Sequence, residues 1–179
     1  MILDEAYCEF TLLDDPDATL DLLPQFPNLV LLRTFSKVYG LCGLRVGFGL
    51  CGSAEFKRAV DQVRQPFFCN AAAQAAALEA LRHQDEVAER VERNVASRLQ
   101  IDGGLRDLGI DPAESQANFA WFDLPGDAKE IEEDVVKGLA ERGVLVRAGS
   151  ALGKPGALRV TYGTPAENDR FLHALRELL

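Results

Sequence analysis

Apolar residues along this chain follow two rhythms. Short unbroken runs come first, Met1-Ile2-Leu3 and Leu29-Val30-Leu31-Leu32. The first reads as the end of a strand, and the second, a bounded run, predicts a strand buried on both faces, as in a parallel sheet. A third strand is predicted over residues 46–50. Between Glu9 and Pro27, the turn residues Asp14-Asp15-Pro16, Pro24 and Pro27 predict a loop with a short helix. Helical spacing then takes over. Ser53 has the character of an N-cap for a helix over residues 54–64, with Phe56, Val60 and Val63 on one face. An alanine-rich helix over 71–82 follows. A long, heavily charged helix runs from 85 to about 108, weakened near its end by Gly103-Gly104.

Beyond residue 109 strands and helices alternate. Strands are predicted over 117–122, 144–147 and 157–162. A helix over 128–142 turns Ile131, Val135 and Leu139 inward, with Gly143 just past its end. Thr164-Pro165-Ala166-Glu167 forms a capping box with proline at the first helical position. It opens a final helix that buries Phe171, Leu172 and Leu175. The fold class expected is α/β: part of a large domain with a mostly parallel sheet (residues 1–84), a linking helix (85–108) and a small α+β domain (109–179).

Composition narrows the partners. With 179 residues and 47% hydrophobic content, the chain can build one core or one domain with a small companion. A net charge of −9 argues against nucleic-acid or anionic-membrane surfaces. The cysteines Cys8, Cys42, Cys51 and Cys69 lack C-x-x-C spacing and are expected to be small buried thiols in a reducing compartment. His83 and His173 stand far apart in sequence, so no metal site is expected. Without a leader or an apolar run long enough to span a bilayer, a cytoplasmic protein is expected.

The candidate chemistry gathers at residues 28–49. Thr34-Phe35-Ser36-Lys37 falls where the second strand leaves its sheet. It is followed by Gly40, Gly43, Gly47 and Gly49, with Arg45 among them. A lysine amine there could bond a phosphorylated aldehyde while hydroxyls and a guanidinium hold the phosphate. A solvated surface lysine beside a glycine loop is the ordinary alternative. Asp4, at the carboxyl edge of the first strand, could cap a turn or bond a pyridinium nitrogen. Arg147 and Arg159 sit in apolar strands. They could pair with nearby carboxylates, which spacing alone favours, or fork onto an anionic substrate.

Residues 34–48, T-F-S-K-x-Y-G-L-x-G-L-R-x-G-F, resemble the lysine segment of fold-type I aminotransferases that use pyridoxal 5′-phosphate (PLP), and most of all histidinol-phosphate aminotransferases. Asp4-Glu5-Ala6-Tyr7 precedes that segment in the family's order, and Pro66-Phe67 with Asn70 is similar to a later one. The resemblance implies that Lys37 bonds PLP and shuttles a proton. It implies that Asp4 meets the pyridine nitrogen and Tyr7 the phenolic oxygen, and that Arg45, Ser36 and Thr34 hold the phosphate. L-R-V-T-x-G-T-P-x-E-N-D (158–169) is similar to the motif whose arginine binds the substrate's anionic group, here Arg159 with Arg147 as helper.

The implied function is PLP-dependent transamination of an amino acid or amino-alcohol phosphate with a 2-oxo acid such as 2-oxoglutarate, in a homodimer. Enzymes that act on aromatic amino acids or decarboxylate phosphothreonine share these motifs, so the donor stays open. Cys42 and Phe67-Phe68-Cys69 depart from the family's usual residues. Measured against that family, the first half of the large domain is absent and the chain is expected to be a fragment. The alternatives are a non-catalytic remnant or interaction module, or a chain whose open sheet edge pairs with another.

Overall fold

The computed structural model describes every residue except Leu13, Asp14 and Asp127, and the side chains of Ala128 and Lys129 lie outside it as well. The expected turn at Asp14 therefore falls outside the described residues. The chain forms two compact units, Met1–Val91 and Glu92–Leu179.

The first unit is built on a three-stranded sheet, β1 (Ile2–Asp4), β2 (Val30–Thr34) and β3 (Gly47–Cys51), in that spatial order. β1 runs parallel to β2, as expected, but β3 returns antiparallel. Within this share of the sheet, then, one pairing is parallel and one is not. Leu29, Val30 and Leu31 are buried, whereas Leu32 is 40% exposed. The carboxyl end of β2 is thus open on one face rather than covered on both. Short 3-10 turns at Cys8–Phe10 and Ala18–Leu22 stand where a single short helix was expected.

Helix α1 (Ala54–Val63) begins where Ser53 accepts the Phe56 N–H at 3.1 Å. Its apolar face is not buried: Val60 is exposed and Val63 lies 83% in solvent. Helix α2 (Ala71–Ala80) is capped by Asn70, which accepts the Ala73 N–H. The cysteines depart from expectation, since Cys42 is exposed and the other three are only partly covered.

Helix α3 (Gln84–Asp107) runs across the boundary between the units. The second unit continues with β4 (Phe119–Asp123), helix α4 (Ala128–Glu141), β5 (Arg147–Ala148), β6 (Ala157–Thr161) and helix α5 (Pro165–Leu178). Its sheet, ordered β4-β6-β5, is antiparallel throughout. Ile101, Leu105, Phe122, Leu139, Leu158 and Leu175 close a core between this sheet and the helices. The strand expected over 144–147 is reduced to Arg147–Ala148. Val144 and Val146 pack against the core without joining the ladder, and Leu145 is 85% exposed.

Thr164 and Glu167 form the expected capping box at the start of α5. Gly104 has a packing role: a Cβ there would come within 2.4 Å of a Leu172 methyl, so the glycine lets α5 approach α3. None of the described helices is long and apolar enough to cross a membrane.

Candidate active site

The lysine segment is held by its apolar neighbours. Phe35 and Val38 are buried on either side of Lys37, and the Phe35 ring lies 5.0 Å from Tyr39 and 5.6 Å from Phe48. The Phe35 N–H donates to Val46 O and the Gly40 N–H to Lys37 O, closing a turn in which Gly40 takes φ +72°. Arg90, at the start of α3, donates to Val38 O at 2.8 Å. With flanking residues anchored inward, Lys37 is left half-buried.

The Lys37 Nζ lies 5.1 Å from the centroid of the Tyr7 ring, within cation–π range. Asp4 is register-paired with Leu32, and Thr34 lies two residues further along β2. Asp4, Leu32 and Thr34 therefore share one face at the carboxyl end of the parallel pair, where ligands meet open α/β sheets. The Asp4 carboxylate accepts the Ala6 N–H at 3.1 Å, and Thr34 Oγ1 accepts the Ser36 N–H at 3.0 Å. Arg45 is exposed in the left-handed region (φ 56°) and donates to Cys42 O. Gly47 permits a close approach, since a Cβ there would lie 2.7 Å from Arg33 O.

In the second unit, Arg147 and Arg159 are direct cross-strand partners, and Arg159 is also paired with Trp121. The three side chains form one row across the sheet. Among the described residues, neither arginine makes the ion pair with a carboxylate that spacing alone favours. Arg159 instead lies over the Phe119 ring at 4.9 Å, and Arg147 is exposed. A guanidinium's planar fork matches a carboxylate or phosphate in geometry.

The sequence model for aminotransferase class I and II matches residues 1–175. The chain belongs to this family. It is 42% identical over its whole length to histidinol-phosphate aminotransferase 2 of Pseudomonas fluorescens, of which it covers 47%. Among solved structures, it is similar to histidinol-phosphate aminotransferase from Sinorhizobium meliloti in complex with pyridoxal-5′-phosphate. That likeness has a TM-score of 0.85 and 33% identity, over 99% of this chain and 48% of that one. It also resembles L-threonine-O-3-phosphate decarboxylase from Porphyromonas gingivalis, with a TM-score of 0.82 and 27% identity over 98% of this chain and 54% of that one. The chain spans about half the length of the curated relatives it matches.

Other polar groups of this aminotransferase-family chain do not stand out in its sequence. Arg33 donates to Glu5, to Asp17 and to Pro16 O. Burial works against its charge, but the bonds to Asp17 and Glu5 more than offset this and hold the guanidinium protonated. The signal was an arginine beside a buried run, the same one that marks Arg147 and Arg159. Nearby, burial and the neighbouring Glu9 push the Cys8 thiol up to about 11, and burial raises Glu9 above the usual carboxylate range.

Glu132 on α4 is buried and accepts the Ser150 N–H and hydroxyl and the Gly156 N–H. It thereby pins the loop between β5 and β6, the two arginine-bearing strands. Nothing in a helical E-E-D run distinguishes it from its solvated neighbours.

Proposed function

We propose that this chain carries the lysine-bearing part of a PLP-dependent aminotransferase that acts as histidinol-phosphate aminotransferases do. One observation carries the reading: the Lys37 amine stands over the Tyr7 ring at the strand end that also presents Asp4 and Thr34. The donor set fits PLP. It offers an amine for the aldehyde, a carboxylate for the pyridinium nitrogen, and a phenol for the ring oxygen. Two hydroxyls and a guanidinium, from Thr34, Ser36 and Arg45, are available for the phosphate.

When bound, PLP supplies an electron sink that acidifies the Cα–H of an amino substrate. Lys37 would hold the cofactor and, once displaced by the substrate amine, take the Cα proton as general base and return it as general acid. The Asp4 carboxylate would keep the ring nitrogen protonated. The Tyr7 hydroxyl would donate to the phenolic oxygen. Arg159, assisted by Arg147, would bind the substrate's phosphate or carboxylate. The donor would be an amino acid or amino-alcohol phosphate, the acceptor a 2-oxo acid, and the assembly a homodimer. Titration of the purified chain with PLP tests this: a saturable visible absorption that Lys37→Ala abolishes is expected, and the same spectrum in both proteins would refute it.

A second reading, a non-catalytic interaction module, is favoured by the apolar surface of the first unit, where Phe67 is 100% and Phe68 60% exposed. A chain that associates with a partner yet shows no Lys37-dependent spectrum would support that reading instead.

A further inference from the structure

We infer that Arg33 is a positioning residue: its guanidinium ties the segment bearing Asp4 and Tyr7 to the strand that delivers Lys37, and so sets the spacing between the Tyr7 ring and the Lys37 amine. The inference rests on the cofactor-site reading of those three residues given above.

Arg33 lies four residues before Lys37, at the end of β2. Its Nε donates to Glu5 at 2.9 Å, its Nη2 to Pro16 O at 2.8 Å, and its Nη1 to Asp17. One planar fork therefore closes both ends of the excursion from Glu5 to Asp17. Tyr7 sits inside that excursion, between the clamped Glu5 and the buried Phe10. The Glu5 N–H also donates to Leu32 O at 2.8 Å, so backbone and side chain of one residue are both fixed to β2.

The Glu5 arm of the clamp is sheltered, while the Asp17 side chain is 59% exposed. The Arg33 and Glu5 side chains are only 10% and 9% exposed, so solvent screens their attraction little. Breaking the Glu5 arm would leave a buried charge without that partner, which a protein tolerates only by rearranging.

The clamp also lies on the other side of the sheet from Asp4 and Thr34. Leu3 is register-paired with Leu31, which places Arg33 on the Leu3–Leu31 face and Asp4, Leu32 and Thr34 on the opposite one. Arg33 accordingly acts through the backbone it holds, not by touching a ligand.

The test reads the Lys37 amine directly and needs no cofactor. The lysines of the full chain are reductively methylated with 13C-formaldehyde, and the Lys37 signal is assigned by its loss in Lys37→Arg. The Tyr7 ring should displace that signal upfield from those of the other lysines, and Tyr7→Leu should return it. We expect Arg33→Met to collapse the Lys37 signal to its Tyr7→Leu position, and Arg33→Lys, which keeps a charge for Glu5 but no fork, to fall between. A purely structural role would lower the melting temperature and leave the signal in place, and that result overturns the inference.

Should Arg33→Met fail to fold, the milder Glu5→Gln and Asp17→Asn loosen one arm each. A displaced Lys37 signal in either supports the inference, and an unmoved signal in both overturns it. The absence of a PLP adduct would refute the cofactor reading while leaving this shift intact, so the two failures are distinguishable.

Discussion

Leu139, Leu158 and Leu175 in the second unit are completely buried, while Val63, Phe67 and Phe68 in the first stand largely in solvent. The two halves are of similar length but hold their geometry by different means. The second closes a continuous core between β4-β6-β5 and its helices, and the Arg147–Arg159 row is laid on that packed sheet. The first has a three-stranded sheet with no further strand on either outer edge among the described residues. Its lysine segment is held by a few buried anchors and by long polar ties from Arg33 and Arg90. Packing positions one set of candidate site residues, and charged hydrogen bonds position the other.

This contrast can be broken by mutation. Phe122→Ala, which empties a site 1% exposed in the second unit, should cost about 3–5 kcal/mol in chemical denaturation. Val63→Ala, at 83% exposure in the first, should stay within about 0.5 kcal/mol. Equal costs would show that the first unit's apolar surface is covered in solution.

The carboxyls sharpen the comparison through pH. Burial favours the protonated form of Glu132, but bonds from Ser150 and Gly156 outweigh it and hold the group below its ordinary value of 4.5. Its contribution is therefore complete above that value and lost as pH falls through the lower folded one. Glu132→Gln should cost about 1.5–3 kcal/mol at neutral pH and flatten the acid limb of the stability curve. Glu9 in the first unit has the opposite sign. Burial raises it above 4.5, so its favourable state is the protonated one, lost as pH rises through the folded value. Glu9→Gln should accordingly stabilise the chain at neutral pH. Thermal melts of both variants across the acid range check the two directions.

A smaller cost than that of the carboxylate belongs to a helix end. Thr164→Ala removes the side-chain acceptor of the α5 capping box and should cost about 1 kcal/mol, read as a lower melting temperature.

Local signals were the legible ones. Ser53 and the Thr164–Glu167 box mark helix starts because capping is a contact between residues three apart in sequence. The Lys37 segment is legible through its resemblance, whereas the 5.1 Å distance from its amine to the Tyr7 ring is a feature of the fold. What was not legible depends on distant partners. Nothing local tells β3 to return antiparallel to β2, or Val144 and Val146 to serve the core from outside a ladder. Apolar spacing puts Phe56, Val60 and Val63 on one face of α1, yet a face is buried only when something packs on it, and no residue of α1 is fully buried. The Arg33 clamp joins residues 16 and 28 positions apart, and the choice between ion pair and open fork for Arg147 and Arg159 is likewise made in three dimensions.

The central claim is that Lys37, Tyr7 and Asp4 face one cofactor. Its most direct test is reduction of the PLP-treated chain with borohydride, followed by peptide mapping. We expect a single adduct on Lys37, formed at lower PLP concentration than any other and weakened in Asp4→Asn. Labelling spread evenly over Lys37, Lys57, Lys137 and Lys154, or unchanged in Asp4→Asn, would contradict it.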